Sequence, residues 1–159
     1  MWVHMIACYF LSLLTFILVV TAFFQSLLKF SVFQAGHLTF MILTSIVYLF
    51  TETLVIFFFV EIGMQIKEST FDKKLDPQFH RRSIAIKRKV FPPLVLNLLL
   101  MMTLFVLVGA VNTHHFPSWA YTLIFLGCIF HFLKTKRIQN QGFKESTEII
   151  LEMSGIRQD

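Results

Sequence analysis

Glu52 stands inside a long apolar run, and no lysine or arginine occurs within that run or any other apolar run of the chain. A carboxylate at membrane depth costs about 2.5–3.5 kcal/mol on insertion scales. Such a group must be protonated, hydrogen-bonded to neutral partners, close to water, or paired with a charge outside this chain. At about 100° per residue, His37, Thr44, Tyr48, Thr51 and Glu52 fall on one face of a helix. A stripe of this kind can pass protons, hold a ligand or meet another subunit, or it can serve only to bind helices together. Glu61 points nearly opposite to Glu52 and has Lys67 in reach, so a weak interfacial ion pair is expected there.

The six histidines raise the question of a b-type haem. Axial ligation needs two imidazoles at one depth on facing helices. His37, His114 and His115 fall at one end of the apolar runs, and His4 and His131 fall at the other. Each end therefore offers a candidate pair, although histidine is also ordinary at a span end. His80 lies in a basic stretch and reads as solvated. No metal centre is expected, because the chain lacks HExxH and CxxC. Cys8 and Cys128 read as small buried hydrophobes. There is no Walker A, GxGxxG or GxSxG motif and no arguable Ser/His/Asp set. A cofactor, if any, would be haem b or a quinone.

The elements that must position these residues follow from composition. Of 159 residues, 56% are apolar and only 14% are charged, where a soluble domain carries about a quarter. Mean hydropathy is +0.71. A disordered chain, a disulfide scaffold and an ordinary soluble enzyme are excluded, and an integral membrane protein is indicated. Four apolar runs occupy residues 3–28, 37–66, 92–112 and 119–133. The first is too long for a signal-peptide core and lacks a basic leader, so it reads as a retained span. Pro92 and Pro93 open the third, where the missing N–H groups cost nothing in a helix's first turn. The runs are continuously apolar rather than alternating, which excludes a β-barrel.

The expected fold is all-α, an integral membrane four-helix bundle of up-down-up-down order over residues 1–134. A basic loop at 67–89 joins its halves. The tail at 135–159 is polar to Lys144, then carries Ile149, Ile150, Met153 and Ile156 at near-helical spacing. It reads as a short amphipathic helix on the membrane or a partner, or as a frayed end.

Thirteen of the 14 Lys and Arg residues lie in the 67–89 loop and the tail, and only Lys29 lies on the other side. The positive-inside rule then places the loop and both termini in the cytoplasm. Trp119 and Tyr121 fall at the outer end of the fourth span, where aromatic belts belong. Lys87, Arg88 and Lys89 sit beside the bilayer and are expected to meet anionic lipid or a partner. The net charge of +5 is confined to these regions, so nucleic acid is not an expected partner.

The segments GHLTF (36–40), EIGMQIKE (61–68), KRKVFPP (87–93) and GAVNT (109–113) resemble a family of small, uncharacterised bacterial four-span membrane proteins. The resemblance covers residues 36–113. It implies a bacterial inner (cytoplasmic) membrane and a conventional span layout, and it implies no activity.

These readings converge on a small non-catalytic transmembrane subunit of a larger membrane complex, of respiratory or electron-transfer type. Little of the chain lies outside the spans to hold an active site, and 20 phenylalanines exceed what four lone helices need to pack inward. The alternatives are a small oligomeric transporter or proton channel using Glu52, and a haem- or quinone-binding anchor.

Overall fold

In the computed structural model, residues 2–32 and 34–155 are described. Four helices follow one another: α1 (Trp2–Leu28), α2 (His37–Asp72), α3 (Gln78–Asn112) and α4 (Ser118–Met153). Helix α1 packs on α2 and α4, and α3 packs on the same two helices. Helices α2 and α4 face each other across the diagonal and meet through long side chains. Three of the four, α1, α2 and α3, are long and apolar enough to cross a membrane. The apolar run of α4 holds only 15 residues, 119–133. It is about 23 Å long against a hydrocarbon core of about 30 Å.

The helices continue well beyond the apolar runs. Residues 67–72 extend α2, and α3 begins at Gln78, so the expected 67–89 loop is instead a helical hairpin with a link at 73–77. The cause lies in residues that look polar in bulk. Phe79, Ser83, Ile86 and Val90 recur at spacings of three and four, the period of one helical face. Ser83, Ile86 and Val90 are buried against the bundle. Pro92 and Pro93 lie inside α3 rather than at its start. The carbonyls they leave without a helical donor belong to Arg88 and Lys89, which are exposed and can use water.

The tail also differs from expectation. Helix α4 runs without interruption to Met153, and Ile149 is buried in the same core as Ile86, Val90 and Phe143. The bundle therefore keeps this segment for itself rather than laying it on a membrane or a partner. Ile156 lies outside the described residues.

The interior divides into two apolar zones. One holds Val55, Phe58, Phe59, Ile62, Val90, Leu94 and Phe143, at the end carrying the basic hairpin. The other holds Val19, Phe40, Met41, Met101, Leu104, Phe125 and Phe132, at the end carrying the 29–36 and 113–117 links. A layer of polar side chains separates them.

Candidate functional site

Glu52 is the centre of that layer and is fully buried, at 0% exposure. Its charge partner lies within its own chain. Lys136 Nζ stands 2.8 Å from Glu52 Oε1, and Gln139 Nε2 donates to Oε2 at 2.8 Å. Of the four possibilities the sequence left open, a hydrogen bond to a neutral group is present, from Gln139, and beside it stands a cation of the same chain that the sequence did not indicate. Lys136 lies three residues past the apolar run, but α4 does not end there. A helical side chain leans toward its own N-terminus, so the Lys136 ammonium reaches back over the Phe132 ring, 4.8 Å from its centroid. It also donates to Ser12 Oγ at 3.1 Å and Gln139 Oε1 at 3.0 Å. Its side chain is 18% exposed. The long methylene stem lets a residue rooted past the apolar run place its charge deeper in the bundle.

Around this triad the layer is hydroxyl- and amide-rich. Thr51 donates to its own backbone at Val47 and faces Thr15 Oγ1 at 2.8 Å. Asn97 accepts from His131 Nδ1 on α4. Asn97 would stand level with Glu61 if α3 began at Pro92. Val90 instead meets Phe59 across Gly142, which brings Asn97 level with Glu52. Thr103 is exposed and bonded to its own backbone.

The sequence-derived stripe on α2 does face inward. Thr44, Tyr48, Thr51 and Glu52 are all buried. It is not a continuous hydrogen-bonded wire, because Thr44 donates to Phe40 O of its own helix. His37 ends the stripe, with Nε2 3.1 Å from the Tyr121 hydroxyl.

The other candidates take separate places. His4 pairs with Glu61 at 3.4 Å, so Glu61 does not rely on Lys67. Phe16 stacks on Phe132, which puts His131 about three turns, or about 18 Å, along the bundle from His4. The structure does not bring those two together. His37, His114 and His115 do line one cavity of about 910 Å³. His37 has one ring nitrogen engaged by Tyr121, and His115 has Nδ1 on Thr113. Among the described residues no three His, Cys, Asp or Glu side chains converge as a metal set.

Comparison with protein-family models, with curated proteins and with solved structures finds no match to this chain. The geometry alone must carry the functional reading.

At the basic end Lys89 pairs with Glu145 at 3.2 Å and Arg82 with Glu152. Lys87 lies across Gly63, where an added Cβ would overlap its Cε and Nζ. Of the three residues expected to face lipid or a partner, Lys87 lies against the bundle, Lys89 is exposed but paired with Glu145, and Arg88 is exposed. His80 is half-buried beside Phe71, not solvated. Lys136 and Gln139 are the site residues that sequence reasoning missed. The available signal was their spacing of three on a helix whose apolar run is too short to end where it does.

Proposed function

We propose that this chain is a multi-pass protein of a bacterial plasma membrane and a small non-catalytic subunit of a larger membrane assembly. Its four helices would span in up-down-up-down order with both termini cytoplasmic. The observation that carries the reading is the self-contained Glu52–Lys136–Gln139 triad. A buried carboxylate already neutralised and hydrogen-bonded at rest is a structural element. It also explains how the short apolar run of α4 could serve as a span, since Glu52 compensates Lys136, the inward-facing one of the two cations just past that run, while Lys134 stays exposed.

Further support comes from the surface. Val3, Ile6, Phe10, Leu13 and Ile17 form a strongly exposed apolar face on α1. Such a face suits lipid or neighbouring helices. Exposed Arg88 suits anionic headgroups at the cytoplasmic side. A proton channel through Glu52 fits less well. Phe58, Phe59 and Phe143 pack face and edge on the basic side of the layer, with centroids 4.9–5.6 Å apart.

Purification from native membrane in mild detergent is expected to recover the chain with partner subunits at fixed stoichiometry. Reconstituted alone, it should add no proton flux to liposomes. A pure homo-oligomer whose flux disappears in Glu52→Gln would sink the subunit reading. Orientation is tested by thiol labelling. A cysteine introduced at Ser69 should be reached only from the cytoplasm and one at Ser118 only from outside. Outside labelling at Ser69 would overturn the assignment of sides.

A further inference from the structure

The cavity at the link end of the bundle has an uneven chemistry. All nine Asp and Glu residues of the chain lie at Glu52 or on its basic side or tail, so no carboxylate lines this cavity. Lys29 and three histidines do. Helices α2 and α4 begin at its wall, with Gly36 and Pro117 as N-caps, and neither start has a side-chain cap. Uncapped first-turn N–H groups are anion donors. The opposing C-termini are quieter. The α3 carbonyls of Gly109, Ala110 and Val111 accept from Thr113, His115 and His114 in the following turn, and Gln25 O accepts from Lys29 N. Lys29 supplies the positive charge of this wall.

Gln25 adds an independent observation. It is 1% exposed and lines the cavity, its Nε2 is committed to Ala35 O, and its Oε1 has no partner. A buried amide oxygen left unpaired calls for a donor. A bare anion cannot supply one, but an anion carrying a hydroxyl can. His37 Nδ1 is likewise buried and unpartnered. When the Tyr121 hydroxyl donates to Nε2, the His37 ring proton sits on Nδ1 as a free donor.

We propose that this cavity binds a glycerophosphate group. The phosphate sits against Lys29 and the starts of α2 and α4, and a glycerol hydroxyl donates to Gln25 Oε1. The group can come from an anionic phospholipid headgroup of the adjoining leaflet or from free glycerol phosphate. A volume of about 910 Å³ accommodates either, within the range of ordinary small-molecule sites.

The test uses the full chain in detergent and in nanodiscs. Native mass spectrometry compares retention of phosphatidylglycerol with phosphatidylcholine, and calorimetry titrates sn-glycerol 3-phosphate and sulfate. One phosphatidylglycerol, or one glycerol phosphate, should bind per chain. Lys29→Gln, an exposed change that spares the core, should weaken binding about tenfold or more, the scale of one charged hydrogen bond. Gln25→Leu should weaken glycerol phosphate and leave sulfate, which has no hydroxyl to donate, unchanged. Retention of lipid without binding of the soluble ester assigns the headgroup as the source, and binding of both assigns the free ester. Equal retention of the two lipids together with no binding of glycerol phosphate overturns the proposal. So does binding that Lys29→Gln leaves intact.

Discussion

Lys136→Leu will destabilise the bundle by about 3–5 kcal/mol, the usual cost of removing one member of a buried ion pair. Glu52 is 0% exposed and too short to reach water, so it cannot escape once its ammonium partner is gone. The reverse change should cost less. With Glu52→Leu, Lys136 can turn its long side chain toward the interface, because it is already partly exposed. Glu52→Gln should be mild, since Gln139 can still bond an amide in that place. The double variant Glu52→Leu, Lys136→Leu should recover most of the stability lost in Lys136→Leu, as buried ion pairs replaced by apolar pairs usually do. Thermal unfolding in detergent of the wild type, the two single leucine variants and the double variant gives the coupling directly. Additive losses with no recovery in the double variant would mean that the two charges do not depend on each other.

Gly142→Leu carries the second large effect. A Cβ at Gly142 would meet Val90 Cγ2 at 2.8 Å and Phe59 Cζ at 3.0 Å. Both belong to the core and neither is the free end of a flexible chain. The glycine lets α4 lie against core side chains of α2 and α3, beside the stacked Phe59 and Phe143 rings, 5.0 Å apart. Leucine there must push the helices apart, at a cost of about 3 kcal/mol, the upper part of the overpacking range. Gly63→Ala provides the contrast. Its Cβ would overlap the tip of Lys87, which can swing into solvent, and would stand 3.3 Å from Ser83 Oγ, a hydroxyl that can give by a few tenths of an ångström. The gain of alanine over glycine in a helix is about 1 kcal/mol. Gly63→Ala should therefore be neutral or slightly stabilising, read as an unchanged or higher melting temperature. A strong loss at Gly63 would show that the Lys87 contact holds the hairpin in place.

Apolar periodicity and charge placement were sufficient to read an all-helical chain, the starts of the second and fourth helices, and an inward face made of Thr44, Tyr48, Thr51 and Glu52. These properties are local. A helix face depends on a repeat of 3.6 residues, and membrane suitability depends on a run of about 20 apolar residues. The same locality explains the errors. Residues 67–72 and 78–91 are too polar to register as membrane helix, yet they fold as helix because a few apolar side chains at the right spacing find a neighbour. Only the tertiary structure decided that Lys136 meets Glu52, that Asn97 and His131 share their layer, and that His4 stands apart from His131. Each depends on the axial offset between helices far apart in sequence, which is set by close contacts such as Gly142 on Phe59 and Val90. A side chain of lysine length then turns an offset of one helical turn into the difference between a solvated cation and a buried ion pair.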